Sequence, residues 1–324
     1  MSIRIGIVGY GNLGRGVETA IRLQPDMELV GVFTRRDPAQ VATGGAAVFA
    51  LDSLADRRDD IDVLVLCGGS KSDLPEQTPE LAARFTVVDS YDNHGQIPQH
   101  FAAVDAAARA AGTTAVISTG WDPGLFSINR LYGEAILAQG ETYTFWGRGL
   151  SQGHSDALRR VPGVAGAVQY TIPAEHAIER VRAGEQPELT TREKHDRQCF
   201  VVLEDGADAE QVREAIVTMP DYFAPYDTTV TFITAEELAR DHTGMPHGGF
   251  VIRSGASSPG TTQTIEYRLQ LDSNPEFTAS VLVAYARAAA RLAAAGDHGA
   301  KTPFDIAPGL LSPKSAAELR AELL

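Results

Sequence analysis

Two aspartates and an arginine stand out as residues able to handle an amino acid. Asp92 lies in "SYDNH" and Asp122 in "STGWDPG", each at the close of a segment that reads as a β-strand. Paired carboxylates at strand ends can hold a substrate ammonium and take its proton, and the neutral amine can then lose hydride. Arg197, in "HDRQCF", offers a planar fork for a carboxylate, bound through two parallel hydrogen bonds. Trp146, in "TFWGRG", can form an apolar wall, and "LSQGHSDALRR" reads as a donor-rich loop suited to a carboxylate. Each also has a plainer reading: a helix cap for Asp122, a turn for Asp92, a core indole for Trp146, a surface ion pair for Arg197. For the two aspartates, joint placement at strand ends favours chemistry, whereas a core indole is the commoner outcome for Trp146. His242 and His247 in "DHTGMPHGG" have no third ligand at a useful spacing, so no metal is expected.

A departing hydride needs an acceptor, and the first third of the chain provides a seat for one. Gly9-Tyr10-Gly11-Asn12-Leu13-Gly14 is a G-x-G-x-x-G that follows an apolar strand and opens a helix. In such a turn the first glycine permits the bend and the second lets the backbone approach a pyrophosphate. The third allows helix and strand to pack closely. The helix N-terminus adds unpaired N–H groups and a partial positive charge. The second strand ends in Thr34-Arg35-Arg36 and not in an acid. An acid there would receive the ribose 2′-OH, whereas arginines would hold a 2′-phosphate, so the expected cofactor is NADP rather than NAD. Turns after later strands should line the same crevice: Cys67, Gly68, Gly69 and Ser70; Ser90, Tyr91 and Asp92; Thr119, Gly120, Trp121, Asp122 and Pro123.

The elements that must position these residues follow from apolar patterning. "IRIGIVG", "ELVGVF", "IDVLVLC", "TVVDSYD" and "TTAVIST" read as buried strands, with helices between them such as "PQHFAAVDAAARAAG". This is an α/β pattern: a Rossmann-type, doubly wound parallel sheet over residues 1–120. From Trp121 the pattern changes. "DPGLFSINRLYGEAILAQG" reads as a helix with Asp122 near its start and Pro123 in its first turn. Residues 121–297 read as a second, α+β domain with a mixed or antiparallel sheet. Its strands are "ETYTFWGRG", "GAVQYTIP", "RQCFVVLEDG", "DTTVTFIT", "GGFVIRSG" and "TQTIEYRLQLD". Residues 298–324 are expected to return to the first domain.

Composition narrows the partners. A chain of 324 residues, 44% hydrophobic and 22% charged, is of ordinary globular make-up and long enough for two domains. No apolar run approaches the roughly 20 residues that span a bilayer. The net charge of −14 opposes nucleic acid and anionic lipid as partners. Cys67 and Cys199, in no metal-binding or redox spacing, suit a reducing compartment, and "MSIRIGIVGYG" has no basic-then-apolar leader. A cytoplasmic location is expected.

"GYGNLGR", "QPDM", "YDNH", "STGWDPG", "FSINR", "TFWG", "GLSQGHSDALRR", "RQCFVV", "TMPDYF", "HTGMPHGG" and "NPEFTAS" together resemble the diaminopimelate dehydrogenases. The resemblance runs from the first strand past residue 250. It implies NADP-dependent, reversible oxidative deamination of the D-centre of meso-2,6-diaminoheptanedioate to L-2-amino-6-oxoheptanedioate and ammonia. It implies that Asp92 and Asp122 handle the reacting amino group, with Trp146, Gln152 and Gly153 orienting that end. Thr171, Arg197, His247 and Asn274 would anchor the distant L-amino acid head. It also implies a homodimer formed through the second domain's sheet, in lysine and cell-wall precursor biosynthesis. Arg148 stands where the family pattern has proline, and Gly69 where it has a bulkier residue. Which group is the general base is left open. Two competing readings are another NADP reductase of similar architecture and a non-catalytic NADP sensor; cofactor binding without turnover would mark the latter.

Overall fold

The computed structural model describes residues 2–324, which divide into two compact units, 2–128 with 275–324 and 129–274. The long helix after Pro275 therefore belongs with the first unit, although the sequence pattern had placed 121–297 together.

In the first unit the chain runs β1 (Ile3–Val8), α1 (Asn12–Arg22), β2 (Met27–Thr34), β3 (Val48–Ala50), β4 (Val63–Leu66), α2 (Leu74–Ala82), β5 (Val87–Asp89), α3 (Ile97–Ala111), β6 (Thr114–Val116) and the start of α4 (Leu125–Ile136). The second unit continues with β7 (Gln139–Trp146), β8 (Gly149–Leu150), α5 (Gln152–Arg159), β9 (Val164–Pro173), α6 (Glu175–Arg182), α7 (Thr191–Lys194) and β10 (His195–Leu203). After these come α8 (Ala209–Val217), β11 (Asp227–Phe232), α9 (Ala235–Asp241), β12 (His247–Ser258) and β13 (Thr261–Leu271). The chain returns to the first unit through α10 (Asn274–Ala294), β14 (Gly299–Lys301) and α11 (Ala316–Leu323).

The first unit is the doubly wound sheet expected, with strand order β14-β6-β5-β4-β1-β2-β3 and every pair parallel. Its central strands are apolar on both faces because both are covered. One face packs Ile5, Ile7, Val63 and Val65 against α1 and the alanine-rich side of α10; the other packs Leu64, Leu66 and Val87 against α2 and α3. Arg287 of α10 is buried and grips Asp26 at 2.7 Å, Gln24 and the carbonyl of Leu311, fixing the returning chain.

The second unit holds two sheets, where the strand pattern had suggested one. In the first, β11-β10-β9-β8, β10 pairs parallel with β11 and antiparallel with β9; in the other, β13-β12-β7 is antiparallel throughout. Each has its own core, around Val201, Leu158 and Phe223 in one and Phe145, Ile178 and Ile252 in the other.

Candidate functional site

In the first unit the glycine turn has the geometry its spacing implies. Gly9 adopts φ +89°, and a Cβ on Gly14 would lie 2.4 Å from the Gly9 carbonyl oxygen, so α1 can sit this close only with glycine there. A Cβ on Gly11 would meet nothing within 4 Å. Gly11 is also the helix N-cap, with no side-chain cap and no acid in the first turn of α1. The open side of Gly11 therefore faces a helix end ready for an anion.

A cavity of about 280 Å³ begins at this turn and is lined by Thr34, Arg35, Arg36, Cys67, Gly68 and Asp73, among others. Arg36 donates to the Tyr10 carbonyl at 2.7 Å, and its backbone N–H donates to Thr34 Oγ1 at 3.1 Å. Arg35, mostly exposed, pairs with Asp73 at 2.6 Å. Asp73 also accepts the Gly69 N–H at 2.7 Å; that bond and the Arg35 pair hold its carboxyl below its ordinary range despite partial desolvation. Two guanidinium groups, an open helix N-terminus and a glycine-lined wall fit a dinucleotide carrying a 2′-phosphate. Asp73 competes for one of the two arginines.

Beneath this wall, burial would raise Glu18. The Tyr10 hydroxyl, the Gly44 N–H and Arg22 outweigh that and hold its carboxyl low. This carboxylate straps α1 to the 43–46 loop. Burial pushes the Cys67 thiol far up, so it lines the cavity as a neutral group.

Asp92 and Asp122 are not at strand ends. β5 stops at Asp89 and β6 at Val116, so both lie in the turns beyond. Asp92 is exposed, with its N–H held by Ser70 Oγ at 2.9 Å. Asp122 precedes α4 rather than standing in it: the 121–124 turn is closed by a bridge between Trp121 and Gly124, contains a cis Asp122–Pro123 bond, and the helix begins at Leu125. The strands end early because the Asp89 side chain, not a neighbouring strand, takes the N–H groups of Tyr91 and Ser118. Asp89 is the residue of this region that sequence reasoning missed. Its only signal was an acid inside an apolar strand.

In the second unit Arg197 lies on β10 opposite Thr171 of β9 and donates to its Oγ1 at 2.6 Å. The guanidinium is 3.7 Å from the centre of the Tyr226 ring and is 5% exposed. Among the described residues no carboxylate pairs with it, and its Nε has no partner. A buried charge without a counter-ion is costly. Burial, with Arg197 adding to it, pushes His195 down to about 3 and His154 down to about 4, so both stay neutral.

The remaining anchors lie along the same structure. Gly149 of β8 pairs with Thr171, and a Cβ on Gly149 would collide with the His247 ring at 2.4 Å, so the imidazole lies flat against β8. His247 Nδ1 accepts the Gly248 N–H at 2.8 Å, which places the ring proton on Nε2. Gln152 donates to Met245 Sδ at 3.1 Å, and the Met245 carbonyl accepts the Asn274 N–H at 2.9 Å. Gln152 and Gly153 are not in a loop: they open α5, capped by Ser151, whose hydroxyl accepts the His154 N–H. Trp146 ends β7 and gives its N–H to Nε2 of His195, a second residue the sequence reading passed over. His242 is tied to the Tyr170 hydroxyl at 2.9 Å and stacks near Phe200.

Residues 120–273 match the diaminopimelic acid dehydrogenase C-terminal domain. Over 324 residues the chain is 64% identical to the meso-diaminopimelate D-dehydrogenase of Lysinibacillus sphaericus, covering 100% of this chain and 99% of that protein. It superimposes on a C. glutamicum diaminopimelate dehydrogenase in complex with diaminopimelate with a TM-score of 0.92, at 52% identity, covering 100% and 99% of the two chains. An engineered D-amino acid dehydrogenase bound to NADP+ gives a TM-score of 0.87 at 50% identity, with both chains covered completely.

Proposed function

The chain belongs to the diaminopimelate dehydrogenase family, and on that premise we propose that it oxidatively deaminates meso-2,6-diaminoheptanedioate at its D-centre with NADP. Water replaces the lost amine, giving L-2-amino-6-oxoheptanedioate and ammonia, and the reaction is reversible. NADP, when bound, accepts the hydride from the D α-carbon. Gly9, Gly11 and Gly14, the first turn of α1, Thr34, Arg35 and Arg36 would hold it, with the turns at 67–70, 90–92 and 119–123 lining its path.

Asp92 and Asp122 are assigned to the reacting ammonium, which must lose a proton before hydride can leave. Trp146, Gln152 and Gly153 orient that end. Arg197, Thr171, His247 and Asn274 anchor the L-head. Holding the distant head uses remote binding energy to fix the reacting carbon. Inverting the distant centre would leave the buried Arg197 guanidinium without its carboxylate, a strong source of discrimination.

The observation that carries this reading is Arg197: a buried guanidinium with no carboxylate partner among the described residues. A substrate carboxylate supplies what the fold withholds. The surroundings of Arg197 fit one carboxylate of a small amino acid with two heads. We also propose a cytoplasmic homodimer acting in lysine and cell-wall precursor synthesis. Among the described residues no helix is long and apolar enough to cross a membrane. The long edge strand β13, bonded on one side only by β12, is the surface most in need of a partner.

The test is formation of reduced nicotinamide from separate meso, LL and DD isomers with NADP or NAD. Turnover of the meso isomer with NADP is expected. Turnover of the LL isomer would sink the D-centre assignment, and equal use of NAD would sink the role of the arginines.

A further inference from the structure

We infer that Asp89, through His100, is a positioning residue that sets the two turns carrying Asp92 and Asp122; the inference rests on the reaction proposed above. Asp89 is fully buried at the end of β5. Its Oδ1 accepts two backbone N–H groups, from Tyr91 at 3.0 Å and from Ser118 at 2.8 Å. The first belongs to the turn that leads to Asp92, the second to the turn that leads to Asp122. Its Oδ2 accepts the Thr78 hydroxyl of α2 at 2.9 Å and lies 2.7 Å from His100 Nε2 of α3. A carboxylate only accepts, so Nε2 must carry the proton toward it. All four acceptor positions are filled, which is what allows a carboxylate to be buried here.

The main chain repeats the arrangement. The Asp89 carbonyl accepts both the N–H of Thr119 at 3.0 Å and its hydroxyl at 2.7 Å. Ser118 sits at φ +56°, a conformation an L-residue holds only when its surroundings impose it, and its N–H bond to Asp89 is one of those constraints. The His100 ring stacks on Tyr91 with centroids 4.0 Å apart and 20° between planes, next to Asp92 in the chain. Asp92 is then tied to a third turn through Ser70. One buried side chain thus sets the relative placement of the turns on which the two proposed catalytic carboxylates stand. Asp89 does not line the cofactor cavity described above.

The experiment compares Asp89→Ala with Asp89→Asn, and His100→Phe with His100→Gln, in meso-diaminopimelate turnover and in NADP binding by fluorescence. Asparagine keeps an acceptor at Oδ1, and its amide can donate to Thr78 and to the other tautomer of His100. Glutamine keeps a donor where Nε2 stands, while phenylalanine keeps only the stack on Tyr91. A displacement of about 1 Å at a reacting group costs roughly 100-fold in rate. Asp89→Ala should therefore lose about 30-fold or more in kcat, with a smaller loss in NADP binding because the glycine turn and the two arginines keep their own supports. Asp89→Asn should recover most of that loss. His100→Phe should lose roughly five- to tenfold in kcat and His100→Gln should restore it, a pair that answers the question even where Asp89→Ala fails to fold. The inference is overturned where His100→Phe and Asp89→Ala keep wild-type kcat, or where NADP binding weakens by as large a factor as kcat falls. An inactive wild-type enzyme that still binds NADP would instead overturn the proposed reaction on which it rests.

Discussion

Trp146 donates its backbone N–H to Nε2 of His195 at 2.8 Å, and the two rings stack with centroids 5.4 Å apart. Nε2 must be unprotonated to accept this bond. The depressed pKa of His195, near 3 through burial and the neighbouring Arg197, keeps it so at any working pH. The end of β7 is thereby fixed to the start of β10, two residues before Arg197. His195→Leu should remove this hydrogen bond and the ring that stacks on the indole, and let the indole drift. The expected result is a fall of roughly three- to tenfold in kcat/KM for meso-diaminopimelate, since an ordinary hydrogen bond is worth about 0.5–1.5 kcal/mol. His195→Gln, with an acceptor at the same reach, should recover part of it. Equal activity in both variants would detach His195 from the site.

Arg197 carries a prediction in which activity and stability move in opposite directions. Its charge is desolvated in the free protein and has no counter-ion among the described residues. Replacing such a charge by an apolar group of similar length removes a cost of folding. Arg197→Met should match or exceed the wild-type melting temperature by calorimetry. Its kcat/KM for meso-diaminopimelate should drop by about 100-fold or more, from loss of a buried charged pair worth roughly 2–5 kcal/mol. A large fall in melting temperature would mean that the guanidinium is structural, not an anchor.

Which parts of this were readable in advance follows from the range of the interactions. The Gly9–Gly14 turn, the apolar runs of β1, β2 and β4 and the Gly112 stop of α3, at φ +68°, are local signals, and each lies where the pattern placed it. β3 and β14 are three residues each, too short to carry a period. α5 reads as a loop because Gly153, His154 and Ser155 form helices poorly; the cap at Ser151 was the available signal. Asp89 with Ser118 and His195 with Trp146 are 29 and 49 residues apart, and no local pattern encodes either pairing. Arg197 was legible as a residue type, while its burial, which turns an ordinary arginine into a candidate anchor, came only with the fold.

Cofactor preference should respond to three residues in different ways. Arg35 and Arg36 each offer charge-assisted hydrogen bonds worth about 1.5–3 kcal/mol to a 2′-phosphate. Replacing both by alanine should raise the KM for NADP by roughly 100-fold or more while leaving that for NAD nearly unchanged. Because Arg35 is largely exposed, the wild-type KM for NADP should also rise with ionic strength. Asp73→Asn keeps an acceptor for the Gly69 N–H but releases Arg35, so its KM for NADP should fall below that of wild type. An increase would show that Asp73 orients the arginine more than it competes for it.

His154 and His195 also make the second unit sensitive to mild acid. Their pKa values, pushed down to about 4 and about 3 chiefly by burial, lie below the value of about 6.5 for an unfolded histidine. Between these limits the unfolded chain binds protons that the folded chain refuses. Stability is therefore complete above about pH 6.5 and falls as the pH drops toward 4, each histidine contributing a slope of about 1.4 kcal/mol per pH unit. The carboxylates held low, such as Glu18, Asp26 and Asp73, begin to cost stability only below their ordinary values near 4.5 and 3.8. The interval from pH 6.5 to 5 thus belongs mainly to the histidines. Urea midpoints measured at pH 7, 6 and 5 should decline, and the double substitution His154→Gln, His195→Gln should flatten the decline. A wild-type midpoint constant over that interval would mean that both imidazoles gain protons in the folded state, and His195 could not then serve as the acceptor for Trp146.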